Sequence, residues 1–307
     1  MKGGRRGFPV IYERTAPPVL FIIGESKMTR EENIRVFEET LLECSNNDTL
    51  RRAVRESVRK QLLIGEGEEY TPKENVVYDK KAKVILSPRR TLEAAALYMG
   101  MKTAVLNFAS AANPGGGVRK GSSAQEESLC RISTLYPCLR DRRLWESYYS
   151  VNRLRCDRRN SDSVIYTPSV IVFRGDDGEM EFLDEREWYS VNVLSAAAPD
   201  LRDPRPGDSD YGVRRTRITG SEIYALHYSR MKRILEIASG EGNEVIVLGA
   251  FGCGAFHNPP DVVARALKTA VEEYIFRFRT IELAVYTSPG RDSRNYSTFH
   301  NVFLPLL

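Results

Sequence analysis

The sequence predicts a three-layer α/β/α domain with a largely parallel or mixed sheet, preceded by an N-terminal helical region. From about Asn75 onward, short and nearly continuous apolar runs alternate with segments of helical periodicity, a pattern typical of a sheet that helices cover on both faces. The 307 residues, 42% of them hydrophobic and 28% charged, suffice for one large domain or two ordinary ones. Two glycine-rich loops follow predicted strands, at the sheet edge where ligands bind in such folds.

The N-terminal part is predicted to be helical. Thr29 and Glu32 have the spacing of a capping box, which opens an amphipathic helix, and a second helix runs from about Thr49 to Leu63 before Gly65. We expect residues 1–74 to form a helical extension packed on a core of residues 75–307.

The core is predicted to alternate between strands and helices. Strands are expected at residues 76–78, 84–86, 104–108, 164–166, 170–173, 189–194, 245–248 and 283–286. Helices are expected at residues 91–99, 125–135, 144–152, 222–238 and 261–278.

Composition and charge exclude several classes. The longest apolar stretch near the N-terminus, Val19–Ile23, is too short to span a membrane. The basic start is interrupted by prolines and charges where a signal peptide is apolar, so we expect a cytoplasmic protein. Five cysteines without a CxxC pair indicate reduced thiols rather than disulfides or a zinc site.

The net charge of +4 gives little support for nucleic-acid binding. Seven arginines nevertheless cluster within residues 140–159, together with Trp145 and two tyrosines. A solvated helix face is the favoured interpretation, although a polyanionic substrate would also suit this segment.

The first glycine-rich loop is Asn113-Pro114-Gly115-Gly116-Gly117, after the strand at 104–108. Three glycines allow backbone N–H groups to converge on an anion such as a phosphate, but a plain tight turn is an open alternative. A P-loop is excluded because Ser122 stands where that motif needs lysine, and a dinucleotide fingerprint fails at Lys120.

Two adjacent carboxylates follow this loop, in Gln125-Glu126-Glu127 at the start of a predicted helix. Glu126 has capping-box spacing from Ser123, so it could simply satisfy the helix N-terminus. Glu127 has no such duty, and its carboxylate is expected to face the glycine loop. Paired carboxylates beside an anion-binding loop favour acid–base chemistry on a sugar phosphate.

The glycine triplet, the short spacer and the Gln-Glu-Glu sequence resemble the signature of the poly(ADP-ribose) glycohydrolases. The preceding residues 107–114 resemble the bacterial-type branch, whose core is a macrodomain. The resemblance implies a macrodomain-like fold, with Glu127 as the catalytic residue and Glu126 holding ribose hydroxyls. It also implies that Asn113 contacts the distal ribose.

A second glycine-rich loop, residues 249–256, follows the strand at 245–248. The equivalent macrodomain loop wraps the diphosphate of ADP-ribose, and Phe256 resembles the aromatic that fixes the distal ribose. A Cβ at Gly116 or Gly254 is expected to obstruct the diphosphate. The candidate substrate-binding residues are Asn113, Gly115, Gly116, Gly117, Gln125, Gly252, Cys253, Gly254, Ala255, Phe256 and Tyr296.

Other side chains have two interpretations each. Tyr296 and Phe299 could stack on adenine, but such aromatics more often belong to a core. The small residues 195–199 could leave room for a ligand or pack against a helix. The three histidines are interpreted as structural, and we expect neither a metal nor a cofactor.

The predicted function is therefore hydrolysis of ribose–ribose O-glycosidic bonds in poly(ADP-ribose), releasing ADP-ribose, with Glu127 as general acid and base. Alternatives are a non-catalytic ADP-ribose-binding macrodomain or a hydrolase of a small ADP-ribose derivative. Expected partners are ADP-ribose, its polymer and ADP-ribosylated proteins, with no membrane and no sequence-specific nucleic acid; the chain is expected to be a monomer. The N-terminal helices could cap the terminal ribose, or only cover the sheet.

Overall fold

The computed structural model describes residues 28–203, 218–288 and 293–307. The strands in chain order are β1 Leu62–Ile64, β2 Lys83–Ser87, β3 Thr103–Phe108, β4 Val164–Val172, β5 Tyr189–Ala196, β6 Val245–Leu248 and β7 Thr280–Ala284. The helices are α1 Arg30–Asn46, α2 Asp48–Lys60, α3 Thr91–Ala96, α4 Gln125–Ile132, α5 Leu135–Leu139, α6 Arg142–Leu144, α7 Ser150–Arg155, α8 Gly220–Gly240, α9 Pro260–Glu273 and α10 Arg294–Phe303.

The strands form one mixed seven-stranded sheet in the order β1-β4-β5-β3-β6-β7-β2. The five strands β5, β3, β6, β7 and β2 are mutually parallel, while β4 is antiparallel to both of its neighbours. The carboxyl ends of the parallel strands therefore share one edge, and the loops after β3, β5, β6 and β7 meet there.

Helices cover both faces of the sheet. One hydrophobic core joins the sheet to α8, α9 and α10. The other joins the opposite face to α1, α3, α4 and α5 and to the tyrosines that precede α7. The predicted three-layer α/β/α architecture is confirmed.

The N-terminal helices lie on this second face. The capping box of α1 is confirmed, because Glu32 N donates to Thr29 Oγ1 at 3.2 Å and Thr29 N donates to Glu32 Oε2 at 2.6 Å. Helix α1 packs on α4 and on the loop before it, whereas α2 packs on β4 and α5. Helix α2 therefore covers the sheet directly, whereas α1 is buried against α4, and Asn33 near the start of α1 contacts Gly121 of the loop before α4.

Several predicted elements differ from the structure. The second helix ends at Lys60, and Leu62–Ile64 instead forms the sheet-edge strand β1 paired with β4. The N-terminal region predicted to be helical therefore also contributes one strand to the sheet, and the domain boundary at residue 74 stays a prediction. Residues 76–78 form no strand; there Tyr78 N donates a single hydrogen bond, 2.8 Å, to the Phe276 carbonyl.

Other boundaries change for local reasons. The two strands predicted at 164–166 and 170–173 are one strand, β4, with an irregularity between Thr167 and Val170 where Ser169 has a φ of +55°. The helix predicted at 144–152 is a π-helical turn, Trp145–Tyr149, between α6 and α7. The helix α10 was not predicted from the sequence.

Candidate active site

The two predicted catalytic carboxylates lie at the carboxyl edge of the sheet, where α4 begins beside the end of β3. Both are buried, Glu126 with 3% and Glu127 with 7% of its surface exposed. The predicted capping box around Ser123 is wrong: the residue before α4 is Ala124, and no side chain caps the helix. Instead, Ser110 N in the loop after β3 donates to Glu126 Oε2 at 2.7 Å.

Glu127 is bound by the glycine loop itself. Gly117 N donates to Glu127 Oε1 at 2.7 Å. Gly116 N is used within the loop, where it donates to the Asn113 carbonyl at 2.9 Å. The glycine triplet predicts N–H groups that converge on an anion such as a phosphate, but the anion that the Gly117 N–H contacts is the Glu127 carboxylate.

Close packing explains why the loop needs glycine. Gly116 has a φ of +60°, and an added Cβ would lie 2.6 Å from Glu127 Oε1 and 3.0 Å from Glu126 Oε2. A side chain there would displace both carboxylates or strain the backbone. The triplet therefore positions the acids at close range.

The environment of Glu126 favours its protonated form. The pKa of Glu126 is raised to about 8, mainly by burial and also by the nearby charge of Glu127, while the hydrogen bond from Ser110 N opposes the shift. Glu126 Oε1 is buried and accepts no hydrogen bond within the described residues. At neutral pH the carboxyl pair thus retains a proton inside the site.

The neighbouring Gln125 has a role different from the predicted one. Its Oε1 accepts from Phe108 N at 2.8 Å, and its Nε2 donates to Thr91 Oγ1 at 3.0 Å and to the Leu106 carbonyl at 2.7 Å. The prediction that Gln125 binds substrate is revised, because these contacts occupy its amide in joining the start of α4 to β3 and α3.

Two further side chains hold the carboxylate loop, residues 109–124 between β3 and α4. Arg131, 1% exposed, donates from Nη1 to the Ser122 carbonyl at 2.6 Å and thereby ties the loop to α4. From the other side, Asn33 Nδ2 on α1 donates to the Gly121 carbonyl at 3.1 Å. Neither contact was predicted from the sequence, because each joins residues that share no motif.

Asn113, the predicted distal-ribose contact, is exposed and held by Arg153. The Arg153 guanidinium donates from Nε to the Ala112 carbonyl at 2.8 Å and from Nη2 to Asn113 Oδ1. It also lies over the Trp145 ring, 4.9 Å from its centroid. One arginine of the basic segment therefore contacts the glycine loop directly, which the sequence pattern alone did not reveal.

The second glycine loop, after β6, presents free backbone donors. The N–H groups of Gly254, Ala255 and Phe256 donate no hydrogen bond to any residue within the described ranges. Gly254 and Ala255 are exposed, and Phe256 is half-buried with Arg202 over its ring at 5.0 Å. Such a row of unused N–H groups suits an anionic diphosphate.

Two residues of this loop are explained by packing. Gly252 has a φ of +78°, and an added Cβ would lie 2.6 Å from Ala198 Cβ and 2.7 Å from Asn258 Nδ2. Cys253 is half-buried, and burial raises the pKa of its thiol to about 12, so it is not a reactive nucleophile.

The small residues at the end of β5 pack against the second loop. Ala198 lies against Gly252, and the Pro199 carbonyl accepts from Asn258 Nδ2 at 2.7 Å. The packing interpretation of residues 195–199 therefore accounts for their size.

The two aromatic candidates for adenine stacking, Phe299 and Tyr296, differ in burial. Phe299 is fully buried in the core beside Phe303, so its proposed stacking role is wrong. Tyr296 is half-buried in the first turn of α10 and remains a candidate.

Of the histidines, His227 is buried and hydrogen-bonded to Asn258 at 3.0 Å, in agreement with a structural role. Across the described ranges, no group of three or more His, Cys, Asp or Glu side chains has the arrangement of a metal site. Over the same residues, no helix has both the length and the apolar character to cross a membrane.

A separate cavity of about 280 Å³ lies beside α7. Its lining includes amide, hydroxyl and charged groups, from Glu66, Asn152, Arg155, Asp157, Asn160 and Ser161. Both carboxylates are paired, Glu66 with Arg155 at 2.5 Å and Asp157 with Arg159 at 2.9 Å. Because each arginine is matched by a carboxylate, the cavity has no unpaired positive charge to attract a phosphate.

This chain is similar to proteins of known family and structure. The family model described as "Microbial-type PARG, catalytic domain" matches residues 30–175. The crystal structure of poly(ADP-ribose) glycohydrolase (PARG) from Thermomonospora curvata is 28% identical, with a TM-score of 0.71, and the match covers 89% of this chain and 100% of that one. A glutamate-to-alanine mutant of the same enzyme is 30% identical, with a TM-score of 0.69 and the same coverage.

A third relative is the PARG of Deinococcus radiodurans in complex with ADP-ribose. It is 27% identical, with a TM-score of 0.65, and the match covers 82% of this chain and 97% of that one. No curated protein matches the sequence.

Proposed function

The chain belongs to the microbial-type poly(ADP-ribose) glycohydrolases, and we propose that it hydrolyses the ribose–ribose O-glycosidic bond of poly(ADP-ribose), with Glu127 as general acid and base. The observation that carries this proposal is the contact between Gly117 N and Glu127 Oε1, 2.7 Å, which holds a buried carboxylate against the glycine loop. A relative of known structure was crystallised with ADP-ribose, and another with the inhibitor ADP-HPD.

The substrate orientation follows from the two loops. We propose that the free N–H groups of residues 254–256 bind the diphosphate, and that Asn113 and Phe256 hold the distal ribose. The distal ribose then lies beside Glu127, because the loops after β3 and β6 emerge from adjacent strands. Tyr296 is the proposed adenine contact.

The reaction then needs a proton at the leaving oxygen. On substrate binding the Glu127 carboxylate takes up a proton from solvent and then donates it to that oxygen while the bond to the ribose C1″ breaks, leaving an oxocarbenium-like centre near the negative diphosphate. The Glu127 carboxylate next takes a proton from a water molecule that attacks C1″, which regenerates the acid. General acid–base help of this kind is worth roughly 10²–10⁴-fold in rate.

Glu126 assists without transferring the reacting proton. Because burial raises the pKa of its carboxyl to about 8, Glu126 holds a proton at neutral pH and can donate a hydrogen bond to a ribose hydroxyl. Gln125 and Arg131 are positioning residues that fix α4 and the loop around these acids. The proposal includes neither a metal nor a cofactor.

The direct test is incubation of the protein with poly(ADP-ribose), alongside calorimetric titration with ADP-ribose. We expect release of ADP-ribose and binding of the product. Binding without release would favour the alternative of a non-catalytic ADP-ribose-binding module, and absence of both at millimolar ligand would exclude the site assignment. Cytoplasmic location, monomeric state and action on ADP-ribosylated proteins stay predictions.

A further inference from the structure

The basic segment 140–159 is the motif that the proposed reaction does not use. It holds seven arginines and three carboxylates in a chain whose whole net charge is only +4. Its aromatic member Trp145 remains 41% exposed, in a π-helical turn where the next two tyrosines, Tyr148 and Tyr149, are buried. A large exposed aromatic among arginines is the chemistry that binds nucleotide units, by stacking on the base and by attraction to phosphate.

Trp145 is joined to the reacting end of the site through Arg153. The Arg153 guanidinium stacks on the Trp145 ring and at the same time holds Ala112 and Asn113 of the glycine loop. Its remaining nitrogen, Nη1, donates to no acceptor among the described residues. A single side chain, Arg153, therefore contacts both the Trp145 ring and Asn113, the proposed distal-ribose contact.

The strand order indicates the direction in which the polymer continues beyond the scissile bond. The proposed diphosphate loop follows β6 and the carboxylate loop follows β3, so the bound unit runs from β6 toward β3. Beyond β3 along the same edge come β5, β4 and β1. Helix α7 spans this stretch: Arg153 contacts the loop after β3, and Arg155 pairs with Glu66, which follows β1.

We propose that Trp145, backed by Arg153, forms a subsite for the nucleotide unit on the leaving side of the scissile bond, with its adenine stacked on the exposed Trp145 ring. This inference rests on the proposed function, since it takes the scissile C1″ to lie beside Glu127. The cavity beside α7 is not part of the subsite, because Glu66 and Asp157 already neutralise the arginines beside it and leave no positive charge for a diphosphate.

The subsite predicts that Trp145→Ala weakens binding of the polymer but not binding of the product. ADP-ribose has no unit on the leaving side, so the dissociation constant of ADP-ribose for Trp145→Ala should stay within about 2-fold of the wild-type value. The KM for poly(ADP-ribose) should rise roughly 5-fold or more, the effect typical of losing one base–aromatic stack, with kcat nearly unchanged. Trp145→Tyr should restore most of the affinity for the polymer.

The matched control is Leu154→Ala in the same segment. Leu154 is 85% exposed, so its truncation should change neither constant. Equal KM values for wild type and Trp145→Ala would overturn the subsite alone, as would a parallel loss of ADP-ribose affinity. A wild-type protein that releases no ADP-ribose from the polymer would instead overturn the proposed function, and this subsite with it.

Discussion

Replacing Gly254 by valine should weaken ADP-ribose binding without weakening the fold. No heavy atom lies within 4 Å of a Cβ added at Gly254, and the residue does not have the positive φ that disfavours other side chains. An exposed substitution of this kind changes stability by no more than about 0.5 kcal/mol. The free N–H groups of Gly254 and Ala255, however, are the proposed diphosphate donors.

The size of the binding loss follows from those donors. A hydrogen bond to a charged group is worth about 1.5–3 kcal/mol. If the valine side chain displaces one such contact, the dissociation constant should rise roughly 10- to 100-fold. Calorimetric titration with ADP-ribose measures this change, and thermal unfolding without ligand checks that the melting temperature moves by less than about 2 °C.

Gly116→Val is the comparison variant, because a Cβ there would collide with the two buried carboxylates, whereas a Cβ at Gly254 meets no neighbouring atom. With a φ of +60° and the Glu127 carboxylate 2.6 Å from the added Cβ, valine should cost stability as well as binding. Unchanged ADP-ribose affinity in Gly254→Val would refute the diphosphate assignment of the second loop. A melting temperature as low as that of Gly116→Val would refute the stability argument.

Three further predictions concern the acids, their support and the products. Burial raises the pKa of Glu126 from 4.5 to about 8, so the folded state binds this proton more tightly than the unfolded chain does. The stability that this group contributes therefore falls as the pH rises from 5 to 8. The melting temperature of Glu126→Gln should rise relative to that of wild type over this range, and a constant difference between the two melting temperatures would contradict the pKa shift. Gln125→Ala should lower stability by roughly 1–3 kcal/mol yet change ADP-ribose affinity by less than about 3-fold, whereas the opposite pattern would restore a ligand-binding role. If the N-terminal segment caps the terminal ribose, chromatography of early digestion products should contain almost only single ADP-ribose units, and abundant oligomers would exclude the cap.

Local sequence patterns predicted the elements that depend on local contacts. The capping box of α1 involves only Thr29 and Glu32, which are three residues apart, and it is present as predicted. The strands β3 and β6 were predicted nearly to the residue, because each is a short run of mostly apolar residues that is almost entirely buried. The orientation of Glu127 toward the glycine loop was also predicted correctly.

Contacts between residues far apart in the sequence explain which predictions were wrong and which contacts were missed. Glu126 has the spacing of a capping residue, but Ser110 N of the β3 loop takes its carboxylate. The residues of β1 continue the apolar pattern of α2, and only pairing with β4 makes them a strand. The links of Arg153 to Asn113 and of Asn33 to Gly121 join residues 40 and 88 positions apart, which no spacing rule reveals.

The most direct test of the account compares wild type with Glu127→Gln for both turnover and binding. The amide keeps the shape of the carboxyl group but can neither donate an acidic proton nor activate water. We predict that Glu127→Gln binds ADP-ribose with affinity close to wild type and releases it from poly(ADP-ribose) at least about 100-fold more slowly. Release at the wild-type rate by the Glu127→Gln protein would remove Glu127 from the mechanism and contradict the central claim.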